Sequence, residues 1–344
     1  SDCMSDRADA ERQISDLGEA GLLTLVKGFC PPELVGDDAA VCAVRDGHAL
    51  VVTADMLVDG VHFSDRTTSA YDAGWRSIAA NLSDVAAMAA TPIGVTVSLG
   101  LPPETPVVWV EALYRGATDC LQMGGFAVPI VGGDVCSSPV RTVSVSAFGE
   151  VKPGLEVRRG GARAGDAIVV TGEHGLSRLG LALLLEPERD DLRAIGAADR
   201  ERAIAAHQRP RPRLDLAIEL QALRADGAEI AGMDSSDGLA DAIEQICEAS
   251  GVGAVVWAEA IGGLAARGVP EQIALDWTLY GGEDFELVLC LRRELAERLR
   301  VSGGAIVGQV TAEREIVVRD RAGRLAPVQL SRSWGFQHFD RANS

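Results

Sequence analysis

Lysine is almost absent from this sequence, and so is any long apolar run. Only two of the 32 basic residues are lysines, Lys27 and Lys152. A P-loop needs the run Gly-Lys-Ser/Thr, and neither lysine has those neighbours. No stretch approaches the roughly 18 consecutive apolar residues of a membrane span. These absences exclude P-loop chemistry and predict a chain without a transmembrane helix.

Cysteine is present, but no two cysteines are spaced as a pair. A disulfide framework or a zinc ribbon needs closer spacing than this sequence offers, and no Cys-x-x-Cys occurs. The pattern favours reduced thiols in a cytoplasmic protein. The seven cysteines are Cys3, Cys30, Cys42, Cys120, Cys136, Cys247 and Cys290.

Acidic residues are abundant. The chain has 50 of them against 32 basic ones, which gives a formal net charge of -18. Such a surface repels phosphate backbones and anionic lipid, so neither nucleic acid nor a membrane is expected as a partner. An anionic small-molecule ligand would need a local device that offsets the charge, and divalent metal ions are the natural one.

The length of 344 residues suggests about two domains at roughly 150 residues each. A shift to Lys, Pro, Arg and Gly over 151–165 predicts a first domain over 1–150 and a second over 151–344. Helices are predicted over 11–26, 70–89, 104–123, 176–185, 214–224 and 239–250. Strands are predicted over 126–131, 142–149, 167–171, 254–257, 286–291 and 305–310. Because helices and strands mix without strict alternation, we predict two α+β domains rather than one doubly wound sheet.

A subset of the acids recurs beside glycines or small residues, at strand ends and in turns. Such neighbours let a backbone and a carboxylate approach a bulky anion together. Turn chemistry explains any single Asp beside a Gly, but six acidic sites of this kind in one chain are harder to explain by turns alone. They are Gly36-Asp37-Asp38, Thr53-Ala54-Asp55, Leu82-Ser83-Asp84, Gly132-Gly133-Asp134, Met233-Asp234-Ser235-Ser236-Asp237-Gly238 and Gly281-Gly282-Glu283-Asp284.

A hairpin is expected around Asp46-Gly47, which lies between apolar runs over 39–44 and 49–53. Asp-Gly in this setting predicts a two-residue type I′ turn. Continued outward, that register places Asp38 opposite Asp55, and two facing carboxylates repel unless both bind a cation. A longer loop or a bulge would shift the register and remove the pairing.

Asp84 lies beside an apolar helix stripe formed by Ile78, Leu82, Val85 and Ala89. A partly buried carboxylate there needs a partner, either an arginine or a metal ion. Oxygen ligands without clustered His or Cys select hard cations such as Mg²⁺ over zinc or iron. Several Mg²⁺ ions held by dispersed carboxylates, without a P-loop, suggest phosphoryl transfer.

Seven motifs then carry a family resemblance. They are Gly36-Asp-Asp-Ala-Ala-Val41, Thr53-Ala-Asp-Met-Leu-Val-Asp-Gly-Val-His-Phe63, Asn81-Leu-Ser-Asp84, Gly132-Gly-Asp134, Asp234-Ser-Ser-Asp-Gly238, Gly281-Gly-Glu-Asp-Phe-Glu-Leu287 and Gly335-Phe-Gln-His-Phe339. In this order they resemble the thiamine-monophosphate kinase family and span nearly the whole chain. Gly-Gly-Asp alone is a weak signal, whereas the set is specific.

The resemblance implies two α/β-sandwich-type domains, with N-terminal sheets that join across a homodimer into a barrel and a C-terminal mixed sheet with helices. It implies a cleft for ATP, thiamine monophosphate and several Mg²⁺ ions. The γ-phosphoryl group of ATP would pass directly to the substrate's phosphate, so no side-chain nucleophile is expected.

The resemblance also implies roles for individual residues. The metal ligands would be Asp38, Thr53, Asp55, Asp84, Asp134, Asp234 and Asp237. ATP would contact Gly133, Asp134, Arg159, Ser236 and Tyr114. Thiamine monophosphate would contact His62, Glu283 and Phe336.

Two departures from the family pattern leave alternatives open. Ala54 stands where the family usually has Thr, and Gln337 where Asp is more usual. A silent binder of ATP or thiamine phosphate is therefore one alternative to a kinase. Another is a different member of the superfamily, such as aminoimidazole ribonucleotide synthetase or the hydrogenase maturation branch. The Gly-Gly-Glu-Asp-Phe-Glu-Leu motif and the missing C-terminal cysteine argue against that second alternative.

Overall fold

A computed structural model describes residues 12–261, 263–301, 303–322 and 328–335. The chain forms two compact units, each with its own sheet. The first comprises Ser1–Val85 with Ala90–Pro153, and the second comprises Ala86–Ala89 with Gly154–Ser344. Among the described residues, no helix is both long and apolar enough to span a bilayer.

The first unit is built on a four-stranded mixed sheet. Its strands are β1 (Ala49–Val58), β2 (Thr91–Leu101), β3 (Ile130–Ser137) and β4 (Thr142–Val151), in the order β1-β4-β2-β3. β2 and β3 are parallel, and the other pairs are antiparallel. Its helices are α1 (Ile14–Lys27), α2 (Ala70–Ala87) and α3 (Val107–Leu121). Along β4, Val143, Val145 and Ala147 are fully buried while the residues between them are partly exposed, so one face of the sheet lies against the core.

Helices α2 and α3 touch backbone to backbone. A Cβ added at Gly74 would lie 1.9 Å from the carbonyl oxygen of Leu113, and one added at Gly116 would lie 1.8 Å from that of Tyr71. Only glycine fits at either position, because a backbone oxygen cannot rotate away as a side chain can.

The second unit contains a seven-stranded mixed sheet. In spatial order its strands are β11 (Val328–Gln329), β10 (Ile316–Arg319), β7 (Gly253–Trp257), β9 (Gly304–Thr311), β5 (Ala167–Thr171), β8 (Leu287–Leu291) and β6 (Ile230–Asp234). Its helices are α4 (Leu176–Leu185), α5 (Ala197–Gln208), α6 (Leu214–Ala225), α7 (Leu239–Ser250), α8 (Ala258–Ile261), α9 (Glu271–Tyr280) and α10 (Arg293–Val301).

Helices cover both faces of this second sheet. Ile168 and Val170 belong to a core cluster with residues of α7, whereas Ala167 and Val169 belong to a cluster with residues of α6 and α10. Successive side chains of β5 therefore pack alternately into two hydrophobic cores, as expected for a strand buried on both faces. The prediction of a mixed α+β architecture is confirmed.

Several predicted elements differ from the structure. β3 begins at Ile130, so Gly132-Gly133-Asp134 lies within a strand rather than after the strand predicted over 126–131. Four strands, β2, β6, β10 and β11, were not predicted, and neither were four helices, α5, α8, α9 and α10. β2 alternates buried Val95, Val97, Leu99 and Leu101 with less buried residues, a pattern typical of a half-buried strand.

The predicted hairpin is wrong. Residues 39–44 form no strand, and Asp55 on β1 pairs with Val145 of β4 instead of Asp38. His48 N does donate to Arg45 O at 3.0 Å, so a turn is present. Only Gly47 has a positive φ there, at 72°, whereas a type I′ turn needs positive φ at both central residues. Positive φ at the second central residue alone is typical of a type II turn, which splays the flanking chains.

Candidate functional site

In the first unit, oxygen donors meet between β1 and α2. The Thr53 hydroxyl donates to Asp84 Oδ2, and the backbone N–H of Asp55 donates to Asn81 Oδ1 at 3.1 Å. Thr53 and Asp55 are two residues apart on β1 and so share one face of the strand. The structure therefore brings together three of the predicted metal ligands, Thr53, Asp55 and Asp84, on one half-buried surface.

A cavity of about 550 Å³ within the first unit is lined by two further predicted motifs. Asp38 lines this cavity from the segment before β1, and Gly133 and Asp134 line it from β3. Tyr114 of α3 also lines the cavity, with its ring centroid 5.2 Å from that of Phe29. Burial raises the pKa of the Tyr114 hydroxyl, which stays neutral. The apolar walls suit the aromatic part of a ligand, whereas an anionic part would need divalent cations between it and these acids.

Gly133 is required by the backbone. Its φ is 157°, and an added Cβ would lie 1.8 Å from the carbonyl oxygen of Val97 on the neighbouring strand. The glycine thus permits a close approach of β3 to β2 beside Asp134. Asp134 itself is exposed, and its Oδ1 accepts from Val135 N at 2.9 Å.

His62 lies in the loop after β1. Its Nδ1 accepts the backbone N–H of Val58 at 3.1 Å. Because Nδ1 is an acceptor, the neutral ring carries its proton on Nε2, and that nitrogen is a hydrogen-bond donor. A neutral donor of this kind suits a phosphate oxygen.

In the second unit, a second acidic group lies where β6 ends and α7 begins. Asp234 is the last residue of β6 and is 4% exposed, and its Oδ1 accepts from Ser236 Oγ at 3.1 Å. Asp237 is exposed and lies just before Gly238, the N-cap of α7. Arg159 donates to Gln245 of the same helix. Asp234, Ser236 and Asp237 therefore lie at the start of α7, whereas Arg159 contacts the middle of that helix.

Glu283 lies in a strained turn against this group. Its backbone N–H donates to Ser236 O at 2.7 Å, which joins the Gly-Gly-Glu-Asp loop to the Asp234 loop. Its φ is 58° and that of Phe285 is 51°, a conformation that side chains other than glycine rarely adopt. Such strain persists only where surrounding contacts fix it, and it is typical of functional sites.

The contacts that fix this turn come from Asp284 and Glu286. Asp284 accepts from Gly175 N at 2.7 Å and Ser177 N at 2.9 Å, so it caps the start of α4. Burial raises its pKa to about 7 despite those two donors. Glu286 accepts from Arg213 Nη1 at 3.0 Å and from the Thr171 hydroxyl.

These supporting roles of Asp284 and Glu286 were not predicted from the sequence. Asp284 stood in a motif that was singled out, but its partners are more than 100 residues away in sequence. Arg213 lies in a run of alternating Arg and Pro that shows no sign of a buried ion pair.

One predicted site residue, Phe336, lies outside the described residues. The departure from the family pattern at Gln337 lies outside them as well. Within the part of the chain that is described, no three His, Cys, Asp or Glu side chains form a group that could hold a metal ion.

Family models match both halves of the chain. The N-terminal domain of AIR synthase related proteins matches residues 36–151, and the C-terminal domain matches residues 163–321. The fold and the dispersed acidic motifs thus define an AIR synthase related protein.

Comparison with individual proteins identifies the family within this class to which the chain belongs. Thiamine-monophosphate kinase of Synechococcus elongatus (strain ATCC 33912 / PCC 7942 / FACHB-805) is 46% identical over 341 residues, which cover 96% of this chain and 99% of that protein. The crystal structure of thiamine-monophosphate kinase from Stenotrophomonas maltophilia K279a has a TM-score of 0.74 at 33% identity, covering 88% of this chain and 94% of that one. AaThiL complexed with AMPPCP and TMP has a TM-score of 0.69 at 29% identity, covering 92% and 98%. This chain belongs to the thiamine-monophosphate kinase family.

Proposed function

We propose that this protein transfers the γ-phosphoryl group of ATP to the phosphate of thiamine monophosphate, producing thiamine diphosphate and ADP. The observation that carries the proposal is the 46% identity over 96% of the chain to a thiamine-monophosphate kinase. The similarity to AaThiL complexed with AMPPCP and TMP supports the pair of substrates.

The reaction needs no side-chain nucleophile. A substrate phosphate oxygen attacks the γ-phosphorus of ATP, a new P–O bond forms, and the bond to the β,γ-bridging oxygen breaks with its electron pair leaving on ADP. That phosphate oxygen is already anionic near neutral pH, so a strong general base is not required. The protein's task is to hold two anions close together and in line.

We assign the metal sites to the dispersed acids. The ligands of Mg²⁺ in the first unit would be Asp38, Thr53, Asp55, Asp84 and Asp134, and those in the second unit would be Asp234 and Asp237. Bound Mg²⁺ supplies neutralisation of the phosphate charges. The Thr53–Asp84 hydrogen bond already aims both oxygens at one place, which supports this assignment for the first unit.

The remaining assignments follow the family. Gly133, Arg159, Ser236 and Tyr114 would contact ATP, and the cavity beside Gly133 and Tyr114 supports the N-terminal domain predicted over 1–150 as the nucleotide domain. His62, Glu283 and Phe336 would contact thiamine monophosphate, and residues 151–344 would form the C-terminal α+β domain. A homodimer, a cytoplasmic location and the lack of a nucleic-acid or membrane partner stay predictions.

The test is thiamine diphosphate formation from ATP, Mg²⁺ and thiamine monophosphate, identified by chromatography. We expect product only in the complete mixture, and none without Mg²⁺ or with unphosphorylated thiamine. Asp84→Asn should lower kcat/KM by about 100-fold, because a ligating charge is lost. Glu188→Gln is the matched control, since Glu188 is exposed, and it should leave the rate unchanged.

Absence of product together with tight ATP binding would contradict the kinase and favour the silent binder. In that case Ala54→Thr, which restores the hydroxyl usual in the family, should produce a large gain in activity if the site has been eroded. Absence of both product and ATP binding would contradict the kinase hypothesis and the silent-binder hypothesis alike.

A further inference from the structure

One arginine, Arg141, holds both sides of the loop that carries His62. Arg141 directly precedes β4. Its Nε donates to Asp59 Oδ2 at 2.8 Å, while Nη1 and Nη2 donate to the two carboxylate oxygens of Asp65 at 3.0 and 2.7 Å. Asp59 lies three residues before His62 and Asp65 three residues after it. A single guanidinium therefore ties both flanks of His62 to the start of one strand.

Two aromatic rings extend this contact to the neighbour of His62. The guanidinium carbon of Arg141 lies 5.2 Å from the ring centroid of Trp109, within cation–π range. The Trp109 ring in turn lies 6.4 Å from that of Phe63, which is 4% exposed. Phe63 follows His62 directly, so the arginine acts on the loop through packing as well as through charge.

The geometry differs from that of an ordinary surface ion pair. Exposed pairs contribute little to stability, typically about 0–1 kcal/mol, because water screens them. Here the side chains of Arg141 and Asp59 are 19% and 21% exposed, although that of Asp65 is 72% exposed. The planar guanidinium also binds Asp65 through two parallel hydrogen bonds, an arrangement that lysine cannot reproduce. Hydrogen bonding to Asp65 raises the pKa of Arg141, and the same contact lowers the pKa of Asp65, so both stay charged.

The loop also has backbone hydrogen bonds of its own on both sides of His62, because Gly60 N donates to Phe63 O at 2.8 Å and Thr67 N donates to Ser64 O at 3.0 Å. Asp59 N donates to Arg141 O at 2.9 Å, and His62 N donates to Val58 O at 2.9 Å. These backbone bonds fix the side nearest β1. The Val58 N–H bond to Nδ1 orients the imidazole ring itself. The guanidinium adds the link to Asp65, beyond His62, and so holds the loop that carries the ring against the start of β4.

We propose that Arg141 is a positioning residue, which holds His62 so that its Nε2–H meets the phosphate of thiamine monophosphate. This proposal rests on the proposed function, in which His62 contacts that substrate. Arg141 itself touches neither substrate.

The test is steady-state kinetics of Arg141→Met and Arg141→Lys. We expect Arg141→Met to raise the KM for thiamine monophosphate about tenfold, because a misplaced donor loses substrate contact. The KM for ATP should change less than about twofold, since ATP is expected to bind elsewhere in the site. Arg141→Lys should recover only part of the loss, because lysine keeps the positive charge but cannot donate two parallel hydrogen bonds to Asp65. Arg115→Met is the matched control, since Arg115 is 57% exposed and its pair with Glu111 spans 4.0 Å.

A double variant separates positioning from general stability. In a His62→Ala background, Arg141→Met should add no further loss in KM for thiamine monophosphate, because the residue acts through His62. Additive losses, or a wild-type KM in Arg141→Met alone, would overturn the positioning role while the wild-type enzyme still makes thiamine diphosphate. If the wild-type protein makes no thiamine diphosphate, the proposed function fails and the positioning role fails with it.

Discussion

At the scale of single residues, His174 makes stability depend on pH. It is 6% exposed, and its Nε2 lies 2.9 Å from the hydroxyl of Ser235. Burial lowers its pKa to about 4, well below the ordinary value of 6.5. Between those two pH values the unfolded chain binds a proton that the folded chain does not bind. The contribution of His174 to stability is therefore fully present above pH 6.5 and is lost as the pH falls towards 4.

We expect His174→Gln to reduce the fall in the free energy of unfolding between pH 6.5 and 4, because glutamine can form a hydrogen bond with Ser235 and does not titrate. The wild-type free energy of unfolding should fall by up to about 1.4 kcal/mol more per pH unit than that of the variant between pH 6.5 and 4. Urea unfolding at pH 7.5, 6, 5 and 4.5 measures both slopes, and the readings above pH 6.5 serve as the reference. Parallel curves for the two proteins across the acid range would contradict the assignment.

The candidate site was predictable residue by residue wherever one local element decided it. Helical spacing placed Asn81 and Asp84 beside the apolar stripe of α2, and the structure shows both contacting β1. The place of Asp38 was not predictable, because it depends on a turn whose handedness at Asp46-Gly47 the dipeptide alone does not determine. The partners of Asp284 and Glu286 depend on strand order, which no local pattern encodes.

At the scale of secondary-structure elements, the crossing of α2 and α3 depends on two glycines. Gly116→Ala would place a methyl group against the Tyr71 carbonyl, and the helices would have to separate. We expect a loss of about 1–3 kcal/mol in the free energy of unfolding, as for other overpacked interiors. Gly196→Ala is the control, since no atom lies within 4 Å of its added Cβ and its φ is -66°. Equal unfolding midpoints for the two variants in chemical denaturation would contradict the close crossing.

Elements with one strong periodicity were predicted well, whereas those that share buried faces were not. Helix α7 was predicted at its observed bounds, Leu239–Ser250, because five of its apolar residues repeat at helical spacing on one buried side. β6 is buried at every position, and a short apolar run of that kind does not distinguish strand from helix. Such segments acquire their identity from the sheet around them.

At the scale of the whole molecule, charge and chemistry have to be reconciled. A chain of net charge -18 is proposed to bind two phosphorylated ligands. Lys27 lines the cavity of the first unit, but Asp37, Asp38 and Asp134 line it as well. The acids outnumber this cation, so the anions would be repelled unless divalent ions bind between them. The strict Mg²⁺ dependence expected of the reaction is thus a consequence of overall composition as well as of local ligands.

The expected homodimer also belongs to this scale, and the structure offers a surface for it. In the described part of the chain, β1 lies at the edge of the four-stranded sheet. Leu50, Val52 and Met56 alternate along it and are 52%, 57% and 55% exposed. A ten-residue apolar edge strand is an aggregation hazard unless another strand or chain covers it.

If a second copy covers this edge, a charge placed on it should separate the copies. We expect Val52→Lys to convert a dimer into a monomer in sedimentation velocity at micromolar concentration, because the ammonium group would be buried without a partner. Ile218→Lys is the matched control, since Ile218 is 59% exposed on α6 in the second unit, and it should leave the mass unchanged. A Val52→Lys protein that stays dimeric would show that the dimer interface does not lie on β1. A monomeric wild-type protein would contradict the predicted dimer itself.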